Sequence, residues 1–473
     1  MRSTHYLLIS AFLYLFVTRL VQEGMSLPGI EYAAIANNLA HGIGSFWALR
    51  FSDTQFPVFF EHPPLMFGIQ ALFFKWLGAG YGTERIYCAV VTVITLVLMG
   101  RIWRSFLGNT DLAKWWPIPL LIWMLNEDTY VNYTGNMLEC TMTVFDLLAV
   151  LLLFIKWPVN NIAGSSKPAW IFLLGAGLAL MAAFLTKGPA GLYPLAFFVI
   201  ARAGNGWSVG DIAKYSLGLI LVFATILGFF FLFEAPSLAL KSYFEQQVWA
   251  TLTGSRMDNT TPHRLYMLQR FFETHTHWLV IGGVLWYFLI QRKGKNHPSS
   301  IQKPLVFTAL TAAAALLPLM LSPQQAPHYT VPALPWIALS LGAWYAGIIG
   351  QIALRPSILL AIKITTIALM LAATGWVMIN TGRTQPQGAD ELGDIKELMK
   401  VLPTGGTIAF TEDSLPPIVN GYFQRYNYTA IDREMKDHKY WMVTKGIHVA
   451  DTVPQFYQII SLDTRLYNVY MKR

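Results

Sequence analysis

Residues 23–65, EGMSLPGIEYAAIANNLAHGIGSFWALRFSDTQFPVFFEHPPL, form the stretch around which the rest of the chain is organised. They make the first long polar interval, directly after the first apolar segment. The interval carries acidic residues, two histidines and a patch of aromatic residues, and the apolar segments that follow it can hold it at a membrane surface. We therefore predict that this stretch forms the floor of an active site.

The composition indicates a polytopic α-helical membrane protein. Of the 473 residues, 54% are hydrophobic and 13% are charged, which is about half the charged fraction of a soluble protein. Apolar runs near the length of a bilayer span recur from Tyr6 to Met378, and we expect about 11 to 13 membrane helices. The net charge of +8 is spread over segment ends, which favours contact with lipid headgroups rather than nucleic acid.

The composition changes near residue 380. Residues 1–380 contain the apolar segments, with two long polar intervals at 23–63 and 234–276. Residues 385–473 instead contain the strand-like runs TIAF, YTAID, KYWMV, FYQIIS and LYNVYM, with a helix predicted from Pro416 to Phe423. We predict a transmembrane domain followed by a small α/β domain of about 85 residues, a usual size for a domain.

The orientation follows from Lys and Arg residues in short loops, which favour the cytoplasmic side. The loops that contain Lys156, Arg202, Arg292 and Arg355 can all be cytoplasmic together. The N-terminus is then cytoplasmic, and the two long polar intervals and the C-terminal domain are extracytoplasmic. Because no small-residue cleavage site follows the first apolar segment, we expect an uncleaved helix there.

Two features of the first polar interval point to a surface site. Residues 30–40 have helical spacing, which predicts an amphipathic helix at the membrane interface. Glu61 and His62 precede Pro63 and Pro64, which fix the backbone where the chain re-enters the membrane. This second arrangement is compatible with a functional site and also with a simple helix start.

Lys187 lies in FLTKGPAGLYP, residues 184–194, between two apolar segments. The loop charges put this lysine on the outer side, against the positive-inside trend. An anionic ligand at the membrane surface accounts for its presence, and Gly188 and Gly191 would let that ligand approach the backbone. The alternative is a lysine in a tight hairpin whose ammonium group extends to the headgroups.

Other polar groups are expected at the same face. Glu139 opens an otherwise apolar helix, where an acid is costly unless it is paired or functional. Residues 322–332 form a second Pro-rich outer turn. His275 and His277 give a weak metal signal that an exposed pair explains better. Acids suit general-base or metal chemistry, and cations suit a phosphate leaving group.

The order of these motifs resembles that of the GT-C glycosyltransferases of the protein O-mannosyltransferase and lipid A aminoarabinose transferase type. The similarity covers residues 6 to about 350 and rests on EYAAIANNLA, FFEHPPL, YTGNMLECTMTVF, FLTKGPAGLYPL and HYTVPALPWIALSLG. It implies an enzyme of the bacterial inner membrane that moves a sugar from a polyprenyl-phosphate carrier to a lipid, glycan or protein acceptor on the outer side. A divalent metal (Mg, Mn or Zn) is compatible with this activity, and we expect no organic cofactor.

The resemblance also implies roles for individual residues. Glu61 would bind a divalent metal or contact the reacting groups, and we take His263, from the second polar interval, as a further candidate metal ligand. His62 stands where the aminoarabinose transferases carry a lysine that faces phosphate. The donor phosphate would be contacted by Lys187, His62, Arg85 and Tyr329, and the acceptor or substrate by Glu139 and His328.

The sequence departs from the family at one important position. The family's first-loop aspartate, which serves as base or acceptor-activating acid, lies four residues before the tyrosine of the interfacial helix. That tyrosine is Tyr32 here, and the position holds Pro28, which cannot accept a proton. Either Glu31 or Glu23 replaces the acid from a shifted position, with Glu31 favoured, or the chain is a non-catalytic relative that binds lipid phosphate. A transporter is a weaker alternative, because it would place ionisable groups near the bilayer midplane.

Overall fold

The described part of the chain is mostly helical, with one small β-sheet near its C-terminal end. It divides into two compact units: unit 1 consists of Met1–Arg19, Glu61–Pro63 and Cys88–Asn380, and unit 2 of Leu20–Phe60, Pro64–Tyr87 and Thr381–Arg473. The computed structural model describes residues 2–158, 165–205, 207–255, 264–288, 299–323, 325–352, 355–386, 388–410, 415–433, 438–446 and 456–473.

The α-helices of eight or more residues are numbered in chain order. They are α1 Arg2–Ala11, α2 Leu27–Ala40, α3 Leu65–Leu77, α4 Thr83–Leu107, α5 Pro117–Met124, α6 Glu127–Thr134, α7 Leu138–Lys156, α8 Ala169–Lys187, α9 Phe197–Asn205, α10 Val209–Phe230, α11 Glu234–Tyr243, α12 Tyr266–Trp286, α13 Gln302–Leu316, α14 Leu334–Ile349, α15 Pro356–Asn380, α16 Ala389–Leu398 and α17 Pro417–Asn427. Short 3₁₀ helices include Asp111–Trp115, Gly188–Ala196, Leu317–Leu321 and Pro327–Thr330, and π-helical turns lie at Phe12–Val17 and Phe244–Trp249.

The helices confirm an α-helical integral membrane protein. Two of the apolar segments form shorter helices, since α3 has 13 residues and α5 has eight. At 1.5 Å per residue they extend about 20 Å and 12 Å, less than the hydrocarbon thickness of about 30 Å. Seven described helical segments are long and apolar enough to cross a membrane: Ser3–Leu20, Thr83–Leu107, Leu138–Lys156, Ala169–Arg202, Val209–Phe230, Gln302–Leu321 and Pro356–Asn380.

The apolar stretch 169–202 is broken at Lys187. Helix α8 ends there, and Gly188 adopts a φ of +73° that favours glycine. A Cβ atom on Gly191 would lie 2.8 Å from the Cβ atom of Ala183. Residues eight apart in a straight helix are about 12 Å apart, so the chain folds back on itself after Lys187. The predicted separation of two apolar segments at this position is confirmed.

Unit 2 is built around a small sheet. The strands are β1 Thr407–Phe410, β2 Ala430–Asp432, β3 Tyr440–Thr444, β4 Tyr457–Ile460 and β5 Tyr467–Lys472, in the order β2-β1-β3-β5-β4. Strand β1 pairs in parallel with β2 and β3, while β5 pairs antiparallel with β3 and β4. The predicted C-terminal α/β fold is confirmed. The compact unit that contains it also includes residues 20–60 and 64–87, which the sequence analysis assigned to the membrane domain.

Helix α2 belongs to the core of unit 2 and packs against α3 and α17. Ile30 joins Tyr422 and Phe423 in a buried apolar cluster. The polar residues of α2 are buried as well: the Asn37 side chain donates to the Tyr428 hydroxyl at 2.8 Å, and that of Asn38 donates to a backbone carbonyl at 2.7 Å. The expected amphipathic pattern, with one polar face, is therefore wrong for this helix, because neighbouring helices cover both faces.

Candidate functional site

A cavity of about 320 Å³ lies within unit 1. Five of the residues that line it were singled out from the sequence, and they come from four separate stretches of the chain. They are Glu61, His62, Glu139, Lys187 and Tyr329.

Lys187 and Glu139 form an ion pair at this cavity, with 2.8 Å between Nζ and Oε1. Lys187 is the last residue of α8, and Glu139 lies in the first turn of α7. The two helices are antiparallel, since Gly175 also contacts Leu152 farther along. Each charge thus meets the helix end that favours it, Glu at an N-terminus and Lys at a C-terminus. The side chains are 10% and 2% exposed, so the pair is largely withdrawn from solvent.

Tyr243 holds the turn that follows Lys187. Its hydroxyl donates to the Lys187 carbonyl at 3.3 Å. A Cβ atom on Gly188 would lie 2.0 Å from that hydroxyl, so the turn requires glycine for space as well as for its positive φ. Burial raises the pKa of Tyr243 above its usual range, which keeps the hydroxyl protonated as a donor. Tyr243 could not be found from the sequence, because no motif surrounds this tyrosine at the end of a helix in the polar interval 234–276.

The turn Pro327–Thr330 brings two aromatic residues to the same pair. His328 Nε2 lies 3.6 Å from Glu139 Oε1, and Lys187 Nζ lies 5.6 Å from the centre of the Tyr329 ring. Burial lowers the pKa of His328, although Glu139 opposes this shift. The imidazole is therefore neutral near pH 7, with one ring nitrogen as a hydrogen-bond donor and the other as an acceptor.

A second ion pair supports this turn. Arg270 contacts Asp128 through two nitrogens, with Nη2 to Oδ1 at 2.5 Å and Nε to Oδ2 at 3.0 Å. The Thr330 hydroxyl donates to Asp128 Oδ2 at 3.4 Å. The pair thus joins α6, α12 and the turn that carries His328. The hydrogen bond to Asp128 raises the pKa of Arg270, which keeps the guanidinium charged. The sequence alone could not pair Asp128 with Arg270, because they are 142 positions apart.

Solved structures share this architecture at low sequence identity. The ArnT of Cupriavidus metallidurans bound to undecaprenyl phosphate aligns with a TM-score of 0.69 and 15% identity, over 97% of this chain and 96% of that chain. Its apo state aligns at 0.65 and 13%, over the same shares. The Archaeoglobus fulgidus oligosaccharyltransferase in complex with Zn and sulfate aligns at 0.51 and 12%, over 93% of this chain and 68% of that chain.

The chain has the GT-C membrane glycosyltransferase fold. The resemblance stated from the motifs is thereby confirmed for the fold. No protein-family model matches the sequence, and no curated protein matches it significantly. The helical frame and the small sheet domain, rather than residue-by-residue identity, therefore define the likeness.

Three residues predicted for the site lie in unit 2 of this GT-C fold. Glu23 forms an ion pair with Lys396. Arg85 is buried, and its Nη2 donates to the Gly24 carbonyl at 2.8 Å. Glu31 lies on α2 beside α17, since a Cβ atom on Gly421 would lie 3.7 Å from its Cγ. Within unit 2, Glu23 and Arg85 thus take part in contacts that stabilise this unit.

The described residues do not fit a resident metal ion. No group of three or more His, Cys, Asp or Glu side chains within the described ranges could hold one. Glu61 lines the cavity, but Glu139 is paired with Lys187, and His263 lies outside the described residues.

His275 does not fit the predicted exposed pair, because it is 3% exposed. Its Nδ1 lies 3.0 Å from the Phe271 carbonyl and its Nε2 lies 3.2 Å from the Asn126 amide nitrogen. Both ring nitrogens therefore serve helix packing. His277 is exposed, as predicted.

Proposed function

We propose that this protein is a glycosyltransferase that uses a polyprenyl-phosphate sugar as donor. The observation that carries the proposal is a nearly buried ammonium group, that of Lys187, at a cavity where two apolar helical stretches meet a turn. An ammonium in such a place suits a phosphate carried by a lipid. An ArnT with the same fold was solved with undecaprenyl phosphate bound, which is a ligand of this chemistry.

The donor phosphate would bind beside Lys187. A lysine ammonium has three N–H donors, so Lys187 can contact Glu139 and a phosphate oxygen together. Glu139 orients the ammonium, and the phosphate adds negative charge beside Lys187 and the neutral His328. We propose that His62 and Tyr329, which also line the cavity, complete the phosphate contact.

We propose that Arg85 also contacts the donor phosphate. Its side chain is buried in unit 2, and one guanidinium nitrogen, Nη1, has no hydrogen-bond partner among the described residues. A buried N–H group without a partner costs free energy, and an anionic ligand would recover it. Arginine is well suited to phosphate because its guanidinium is planar and always charged.

The reaction would proceed by attack of an acceptor hydroxyl on the anomeric carbon of the donor sugar. The bond between that carbon and the phosphate oxygen breaks, and the phosphate leaves with the electron pair. Lys187 stabilises the charge that develops on the leaving group. The acceptor proton passes to a carboxylate. We propose Glu31 for this role and Glu23, which forms an ion pair with Lys396, as the alternative.

Incubation of the purified protein with a panel of polyprenyl-phosphate sugars tests the proposal. Release of free polyprenyl phosphate with one donor would establish transfer and identify the sugar. Glu31→Gln and Glu23→Gln, compared in parallel, would locate the base. EDTA would test the predicted role of Glu61 in holding a divalent metal, and a lipid, glycan or peptide acceptor would be identified by the sugar it gains.

A non-catalytic protein that binds lipid phosphate is the second candidate, and Pro28 is the observation that favours it. Pro28 lies in the first turn of α2, a position that suits proline but leaves no carboxylate there. Tight binding of polyprenyl phosphate without turnover of any donor would select this alternative. Flux of a substrate across vesicles would instead support a transporter.

We propose that the protein resides in the bacterial inner membrane with a cytoplasmic N-terminus and an extracytoplasmic C-terminal domain. Lys and Arg residues in the short loops support this orientation. Labelling of single cysteines introduced at Lys167 and Lys472 by a membrane-impermeant reagent tests it. The reagent should reach residue 472 in intact cells whose outer membrane is permeable, and residue 167 after the inner membrane is also opened.

A further inference from the structure

A second groove lies in unit 1, separate from the cavity that contains Lys187. It has a volume of about 420 Å³ and lies between α1, α4 and α5. Its walls are almost entirely apolar, and Val93 and Val97 on α4 are 47% and 54% exposed. Gly100 opens it further, because a Cβ atom there would meet nothing within 4 Å. In a chain that crosses a membrane, such a surface faces lipid.

One end of the groove is charged. Arg101 and Arg104 lie three residues apart on the same face of α4, and both are exposed. Within the described ranges neither guanidinium has an ion-pair or hydrogen-bond partner. Trp116 lines the same end, and its ring packs edge-on against His5 at 5.4 Å between ring centres. Tryptophan is enriched where a membrane helix meets the headgroups, which places this end at the interface.

The dimensions match one leaflet of a bilayer. From Val93 to Arg104 the groove follows α4 over eleven helical rises of 1.5 Å, or about 16 Å. One leaflet contributes about 15 Å of hydrocarbon. An acyl chain that lies along the groove would therefore bring its headgroup to the two arginines. A protein helix would suit the groove less well, because it would have to supply acids opposite both guanidinium groups.

We propose that this groove binds an anionic membrane phospholipid, with an acyl chain along α4 and its phosphate headgroup on Arg101 and Arg104. Basic pockets between membrane helices bind anionic headgroups in this way. The site is independent of the sugar-donor cavity, since it uses different helices and different charges. An anionic phospholipid differs from a zwitterionic lipid in the net charge of its headgroup. It differs from bulk lipid because its acyl chain occupies the groove.

Native mass spectrometry of the detergent-purified full chain tests the proposal. Dioctanoyl phosphatidylglycerol is titrated against dioctanoyl phosphatidylcholine, and bound lipids are counted. We expect preferential binding of phosphatidylglycerol. Arg101→Gln with Arg104→Gln should weaken it roughly thirtyfold, which corresponds to about 2 kcal/mol for two headgroup cations. Lys214→Gln with Arg355→Gln removes two exposed cations elsewhere in unit 1 and should leave binding unchanged.

A second variant separates groove occupancy from charge. Gly100→Leu places a side chain in open space, so it should fill the groove without disturbing the fold and should abolish binding while both arginines remain. Lys187→Ala should leave phosphatidylglycerol binding intact. Equal binding of the two lipids, equal loss in the control pair, or full binding to Gly100→Leu would overturn the proposal. The proposal would also be overturned if the double arginine variant lost binding of short-chain polyprenyl phosphate but kept binding of phosphatidylglycerol.

Discussion

The ion pair of Lys187 and Glu139 provides the sharpest test of the donor site. Lys187 can matter by binding phosphate or merely by neutralising Glu139, and a single substitution does not separate these roles. With 2.8 Å between the charged atoms and side chains 10% and 2% exposed, the pair is buried. Removal of one partner from a buried pair leaves an unpaired charge and costs about 3–5 kcal/mol, whereas replacement of both partners is often nearly neutral.

A double-mutant cycle uses this difference. Lys187→Met and Glu139→Gln should each lower the apparent melting temperature in detergent, and the double variant should recover most of the loss. Donor turnover should behave differently. Lys187→Met and the double variant should both lose roughly 100-fold or more in polyprenyl-phosphate release, the usual cost of removing one group that stabilises a developing oxyanion. Lys114→Met, which removes an exposed cation outside the cavity, serves as the control.

The decisive measurement is turnover by the double variant. If it regains both stability and wild-type turnover, Lys187 acts only as the counter-ion of Glu139, and its assignment to the donor phosphate is wrong. If it regains stability while turnover stays low, the loss comes from the missing ammonium and not from an unfolded protein. Added polyprenyl phosphate should then stabilise wild type against heating but not the double variant.

Three further predictions concern stability. Gly188→Ala should lower the free energy of unfolding by more than about 2 kcal/mol, because φ is +73° and the added Cβ would clash with the Tyr243 hydroxyl. In thermal unfolding, Tyr243→Phe should partly restore the stability of this variant. Glu84→Gln should destabilise unit 2 by about 3–5 kcal/mol, since it leaves the fully buried Arg425 unpaired; unchanged resistance of the C-terminal domain to proteolysis would contradict this. Burial lowers the pKa of His275 to about 4, below the unfolded value of 6.5, so the unfolded state binds the extra proton. Stability should therefore fall by about 3 kcal/mol as the pH drops from 6.5 to 4, and His275→Asn should flatten this part of the pH profile.

The sequence predicted the elements whose signal is local. Long apolar runs predicted membrane helices because the hydrocarbon core demands them, and the strands of the C-terminal sheet followed from their β-branched and aromatic runs. The break at Lys187 could also be predicted from the sequence, because a lysine followed by Gly-Pro does not continue an apolar helix. Helix α2 shows the limit of such patterns. Its polar residues suggested a solvated face, but Asn37 and Asn38 are buried, and Asn37 is hydrogen-bonded to Tyr428, 391 positions away.

The candidate site could be predicted in part. Glu61, His62, Glu139, Lys187 and Tyr329 were each recognisable as polar groups at the edges of apolar segments, and the structure brings them to one cavity. Their pairing was not recognisable. The contact between Lys187 and Glu139 depends on the antiparallel packing of two helices. The contact of Tyr243 depends on its close approach to a turn 56 positions away in the sequence.

The sequence by itself determined the class of the protein, the places where helices meet turns, and the motif order that resembles the GT-C enzymes. These depend on the transfer of side chains from water to hydrocarbon and on local backbone preferences, which neighbouring residues set. Tertiary structure alone decided which charge faces which. Asp128 meets Arg270 across 142 positions, and Glu84 meets Arg425 across 341. Such partners are selected by the packing of whole helices, because a buried charge is tolerated only where packing provides its counter-charge.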